Sequence, residues 1–416
     1  MRSLTRSFFF YRRGSPGHNS GFLSKIIPFP IFSAIPFLTF LLCFLWSVPT
    51  ANALISGPCA NCHTMHNSQD GTAMALLGGE SGATPNPYLT RGSCTGCHAM
   101  GANARIATIG TSQIPQVLHT DGAGDLAGGN FAYLLGQKGS GASDSKGHNV
   151  IDFPGHEDAD LYGPPGGMVL FSHDDGGVVN DGNLTCAGTN GCHGYRFNAE
   201  YETGIASLSN AHHGNVDGKC DIADKPANSY RFLYGVKGLE NQNPTGKWQN
   251  VSSGNHNEYF GQTMPKQLSC GAPASSCHNA DGIGPPNHTM SEFCATCHGN
   301  FHTLTTGSSD GIGTGMNPFI RHPTDIALPN QGEYIAYNGD NSYSVEAPVA
   351  RAGAVPDVVS GMVDPSSGND VVMCLSCHGA HATNYADILR WDYSDMVAGG
   401  GANNSGCFVC HTTKDD

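Results

Sequence analysis

Fourteen of the 16 cysteines fall into pairs whose second member is followed at once by histidine, and this constrains the chain more than any other feature. Five pairs have a two-residue gap: CANCH (Cys59, Cys62, His63), CTGCH (Cys94, Cys97, His98), CATCH (Cys294, Cys297, His298), CLSCH (Cys374, Cys377, His378) and CFVCH (Cys407, Cys410, His411). Two more keep the terminal Cys-His behind a longer gap. They are CAGTNGCH (Cys186, Cys192, His193) and CGAPASSCH (Cys270, Cys277, His278), whose small residues let the loop bulge. This is the attachment signature of c-type haem, in which the thiols bond the porphyrin and the histidine becomes the proximal iron ligand. Zinc is the rival for repeated cysteine pairs. A histidine after every pair, in a chain that reads as secreted, favours covalent haem, and seven sites predict seven haem c groups.

The first 53 residues carry five basic residues (Arg2, Arg6, Arg12, Arg13, Lys25) and no acidic one, then an apolar run from Pro36 to Val48 and Ala51-Asn52-Ala53. That order predicts a secretory signal peptide over 1–53 and a single cytochrome domain over 54–416, with no membrane-crossing segment after cleavage. Without the leader, 15 Lys and Arg face 34 Asp and Glu, a formal charge of −19, which makes nucleic acid and anionic membranes poor partners. Cys43 lies in the leader, and Cys220 is left as a lone thiol.

Twelve of the 20 histidines lie outside the leader and the seven motifs, and one face of each iron needs a second ligand. The candidates are His66, His119, His148, His213 with its neighbour His212, His256, His302, His322 and His381: eight positions for seven irons, so at least one is spare. His156, His173 and His288 read as ordinary surface or propionate-bonded imidazoles. His66 lies three residues past His63 and is barred from the same iron. Ligands on opposite haem faces need Cα atoms about 12 Å apart, counting about 2 Å per metal–nitrogen bond plus imidazole and Cβ, whereas three extended residues reach at most about 10 Å. His381 repeats this spacing after His378, and His302 follows His298 by four, so all three are expected to ligate neighbouring haems. With histidine so abundant, Met65, Met100 and Met290 are not needed as ligands.

The chain holds 56 Gly and 24 Pro, which predicts mostly irregular coil with short helices and few short strands, wrapped around a row of haems. Ile151 to Asn183 reads as a surface loop, and Tyr230, Phe232, Leu233 and Tyr234 as packing against porphyrin. Gly332 to Ala347 has the pattern of a hairpin turning at Asn338-Gly339. Asn384 to Ala398 has that of a helix capped by Asn384 and ended by Gly399.

CANCHTMHNS near the predicted mature start, KGHNV, MSEFCATCH followed by NFH, IRHPTD, CLSCHGAHA and a terminal CFVCH together resemble the extracellular hexahaem c-type cytochromes of metal-reducing bacteria that polymerise into conducting filaments. The chain departs from them by a seventh site and by its long-gap motifs. The resemblance implies an electron relay rather than an enzyme, secreted to the cell surface or beyond it. Its partners would be copies of itself, other multihaem cytochromes or extracellular acceptors. It also implies that His66 crosses to the iron held by His378 in an adjacent copy. Two other readings share the motifs: a monomeric periplasmic shuttle, and a reductase of nitrogen or sulfur oxyanions with one open haem. The reductase signature, Lys in place of a proximal His, is absent from the sequence.

Overall fold

The computed structural model describes residues 57–153 apart from 70, 71, 74, 78, 79, 83, 102, 111 and 123. Beyond them it describes 155, 158, 163–165, 182, 184–188, 190–193, 204–208, 236–237, 250–261, 289–295, 297–298, 322–401 and 404–414. All of these belong to one unit, Asn52–Asp416. The expected signal peptide, the CGAPASSCH site, His156, His173, His212, His213, His288, His302, Cys220, the aromatics at 230–234 and most of the 151–183 loop lie outside the described residues.

Glycine and proline interrupt the periodicity that long elements need, and regular structure is short as a result. The longest described helix is Met290–Ala295, six residues, followed by Cys94–His98, five. Other helical segments are single 3-10 turns, three of which overlap motifs, at Cys59–Asn61, Cys374–Ser376 and Gly406–Val409. Short antiparallel pairs join β1 (Ser68–Gln69) to β2 (Thr72–Ala73), β3 (Ala75–Leu77) to β4 (Glu80–Gly82), and β5 (Ile106–Ile109) to β6 (Ser112–Pro115). β7 (Thr185–Ala187) and β8 (Gly191–His193) run parallel, Ala187 opposite His193.

The largest sheet has five strands in the order β11 (Ile326–Ala327), β13 (Asp370–Val372), β12 (Ala350–Ala352), β10 (Glu258–Gly261) and β9 (Val236–Lys237). β10 and β12 are parallel, with Phe260 opposite Arg351, and the other pairs are antiparallel. Every residue of β10 and β13 is buried, as expected of strands covered on both faces. Burial also encloses charge. Arg351 donates from Nε to Glu258 (2.9 Å), from Nη1 to Asp370, and from Nη2 to the Ser360 carbonyl (3.0 Å). Arg351 and Asp370 are direct cross-strand partners, which is why this pair meets.

Three apolar clusters surround the sheet and the motifs. One packs Phe131, Leu134 and Val150 with Cys186 at its edge. A second packs Tyr259, Val371, Met373 and Leu375. The third packs Tyr337, Val349, Trp391 and Val409 against Cys377, Cys407 and Cys410. The first and third clusters thus reach motif cysteines, where haem would continue them.

Two local expectations are overturned. Between Asn384 and Ala398 there is no helix but two separate 3-10 turns, Ala386–Ile388 and Tyr393–Asp395. Asp387 and Ile388 sit at φ 57° and 56°, and the segment is pinned back onto CLSCH by Gly379 N–H to Ile388 O and Arg390 N–H to Cys377 O. Asn384 Oδ1 accepts from Ser140 N–H instead of capping a helix. The expected hairpin is likewise absent. Gly332–Tyr334 and Tyr337–Gly339 are 3-10 turns, and Asn338 and Asn341 adopt φ 52° and 63°. Tyr337 is buried and its hydroxyl donates to Ala347 O (2.6 Å), so its ring turns into the core instead of alternating along a strand.

Candidate haem sites

The two-residue gap has a direct geometric meaning. In a helical turn, residues i, i+3 and i+4 share a face, so Cys, Cys and His of one motif project together. The structure forms that turn repeatedly: the amides of His63, His298, His378 and His411 each donate to the carbonyl of the first cysteine of their motif, at 2.8 to 3.0 Å. His98 ends the Cys94–His98 helix. The long-gap motif reaches a related result differently. Parallel pairing of β7 with β8 sets Cys186 and Cys192 on neighbouring strands, and the extra residues turn at Gly188, φ 90°.

Five of the motif imidazoles are oriented through one nitrogen. Nδ1 donates to Tyr88 O from His63 (3.0 Å), to Pro115 O from His98 (2.8 Å), to Pro165 O from His298 (2.9 Å) and to Asp387 O from His378 (2.8 Å). In His411 it donates to the Glu333 carboxylate (2.8 Å). Two candidate second ligands follow the rule, His148 donating to Ala380 O (2.8 Å) and His322 to Pro323 O (3.0 Å). A proton held on Nδ1 leaves the lone pair on Nε2, the arrangement metal-bound histidines use.

Among the described residues, three pairs of histidine rings then come together. Ring centres are 6.2 Å apart for His148 and His298, 6.1 Å for His193 and His381, and 6.1 Å for His322 and His411. Two imidazoles bound through nitrogen to opposite sides of one iron would have ring centres about 6 Å apart, with about 2 Å per metal–nitrogen bond and about 1 Å from nitrogen to ring centre. The separations therefore fit a haem iron between each pair. Burial pushes His148 down to about 4 and His381 down to about 3, each helped by the neighbouring histidines, which keeps the rings in the neutral form that ligates metal. His148 and His381 come from one backbone bridge, Gly147 to Ala382. Gly128 lies against it so closely that an added Cβ would stand 2.7 Å from the His381 ring.

The six described motifs also neighbour one another in the order in which they occur, with the CGAPASSCH site outside the described residues. Cys94 and Cys186 are hydrogen-bonded, as are Cys294 and Cys374. Burial pushes the Cys97 thiol up to about 11, with Cys62 adding to the effect, and burial pushes Cys377 up to about 12, with Cys407 adding. Cys192 acts in the same sense on Cys294.

The remaining candidates differ among themselves. His66 is exposed on the turn after CANCH, and His378 is exposed beside a recess lined by Lys146, Asn384, Tyr385 and Tyr393; among the described residues neither has a ring partner. His119 is fully buried, and neither of its nitrogens has a hydrogen-bond partner, the Asp125 carboxylate standing 3.7 Å from Nε2. His256 is buried with both nitrogens facing oxygen: Nε2 donates to Glu258 (3.0 Å), and Nδ1 lies 3.4 Å from Ser252 O.

Comparison with known proteins finds related sequences. A profile of the doubled CXXCH motif matches residues 366–416, the segment that holds the last two motifs. The C-type cytochrome OmcS of Geobacter sulfurreducens is 26% identical over 388 residues, covering 84% of this chain and 82% of that protein. Along most of its length the chain is therefore similar to a C-type cytochrome. Two solved structures also match: cryo-EM of the OmcS nanowires at 19% identity, covering 80% of this chain and 83% of that one with a TM-score of 0.38, and the OmcS filament at 19%, covering 86% and 91% with a TM-score of 0.37.

Several residues that support the sites of this chain carry no motif. Glu333 orients His411 and accepts a bond from Lys414 Nζ (3.1 Å). Arg390 bonds the Leu375 and His378 carbonyls at 2.8 and 3.0 Å and so braces CLSCH from behind. Lys146, buried beside His378, is held by Ser140 Oγ (2.9 Å) and Gly141 O (2.8 Å). Only their position near a motif in space marks them.

Proposed function

We propose that the chain is a secreted electron-transfer protein with seven covalently attached haem c groups, each held between two histidines, and that copies join end to end through His66 into an extracellular filament. Haem c, when bound, supplies a reversible one-electron carrier. The protein's part is to hold and space those carriers. The observation that carries the reading is the set of three histidine pairs at 6.1 to 6.2 Å. Rings on both faces leave no open coordination position for a substrate, which favours relay over turnover.

The thiols of neighbouring described motifs act on one another, which supports a row of sites. The exposed pair His66 and His378 supports the intersubunit joint: one presents a ring with no ring partner among the described residues, and the other lies beside an open recess. OmcS, the relative whose solved structures are filaments, supports the same assembly.

The test is His66→Ala in the purified haem-loaded protein. Electron microscopy should show filaments for the parent and isolated particles for the variant, and the variant should gain one haem that binds carbon monoxide. Filaments of unchanged length would refute the joint. A haem that binds carbon monoxide in the parent would refute full bis-histidine ligation and favour the oxyanion reductase.

A further inference from the structure

Eight histidines compete for seven second-ligand positions, and the structure shows one whose surroundings suit a different task. The ring of His256 stacks on Tyr343 with centres 3.5 Å apart and planes 7° from parallel, so one face is closed. Its Nε2, the atom left bare in the oriented imidazoles above, is spent on Glu258 Oε1 at 3.0 Å. That carboxylate is fully buried and bonded further by Arg351 Nε (2.9 Å) and by the Ser360 amide (2.7 Å). Arg351 in turn bonds Asp370, which accepts the Asp364 amide at 2.6 Å, and its guanidinium lies 5.4 Å from the Tyr343 ring centre. Turning the His256 ring toward an iron would strip a buried carboxylate of one donor, a costly exchange in a dry interior.

We infer that His256 is a structural residue that closes this ionic cluster on β10, β12 and β13, and that the seven other candidates supply the second iron ligands one for one. The inference rests on the seven-haem reading. It makes His119 a ligand, consistent with a ring that is fully buried and finds no hydrogen-bond partner. With three pairs placed by geometry, His66, His119, His302 and one of the neighbours His212 and His213 remain for the irons of His63, His98, His278 and His378, four for four.

The experiment compares His256→Gln with His119→Ala, each as the haem-loaded full chain, with haem content taken from intact mass. His256→Gln should keep every haem low-spin and bind no carbon monoxide, while its thermal unfolding temperature falls. His119→Ala should gain carbon monoxide binding at one haem in seven. A carbon-monoxide-binding haem in His256→Gln at full haem content overturns the inference, as does its absence from His119→Ala. Fewer than seven haems in the parent overturns the underlying reading instead, and the one-for-one assignment with it. Should His256→Gln not accumulate, Glu258→Gln keeps the histidine and removes its charged partner. Lower thermal stability with unchanged haem spectra then supports the structural role, and a new high-spin haem overturns it.

Discussion

At His148 and His381 a single backbone bridge sends two imidazoles to two different partners, His298 and His193. Each should therefore fail independently. His148→Ala and His381→Ala are each expected to expose one iron, and the double variant two, because ligands of separate irons act additively. Carbon monoxide titration of the reduced protein counts them; a double variant that binds only one equivalent would place both rings on one iron. The first ligand of each pair was legible in sequence because Cys, Cys and His lie on one turn, so that spacing alone brings them together. The second was not. His148 stands among the sequence candidates, but its partner His298 lies in a remote segment, and the His148 ring is aimed by the Gly147–Ala382 bridge and the Ala380 carbonyl. The same holds for Glu333, an ordinary acidic residue until the fold sets it 2.8 Å from His411.

Among the elements, the five-stranded sheet carries the clearest energetic consequence. Arg351 is buried between Glu258 and Asp370, and Arg351→Met would leave two carboxylates without their shared cation. Breaking a buried pair from one side costs about 3 to 5 kcal/mol. The expected result is a markedly lower denaturation midpoint with haem spectra unchanged in the folded state; an unchanged midpoint would show that the cluster contributes nothing net. Element type was only partly readable. Coil with short elements follows from the glycine and proline content. The hairpin at 332–347 and the helix at 384–398 rested on local turn and cap signals alone. In the structure Asp387 gives its carbonyl to His378, and Arg390 spends its side chain on the Leu375 and His378 carbonyls. Those tertiary bonds outweigh a few tenths of a kcal/mol per residue of helix propensity.

For the molecule as a whole, the apolar clusters are small and two of the three reach motif cysteines, so a chain without haem would lack the surfaces that extend them. Protein made without haem attachment is expected to show no cooperative thermal transition by circular dichroism, as small metal domains lose their fold without metal. A sharp transition in the haem-free chain would contradict this. Among the described residues no helix is long and apolar enough to cross a membrane. By itself the sequence determined the motifs, the haem chemistry they imply, the excess of candidate ligands and the steric bar that keeps His66 from its own iron, because each depends on neighbours along the chain. Only the tertiary structure decided which rings face one another, that His256 is taken up by Glu258, and how CLSCH is wrapped by the segment after it. Those outcomes depend on contacts between segments far apart in sequence, and no local spacing encodes them.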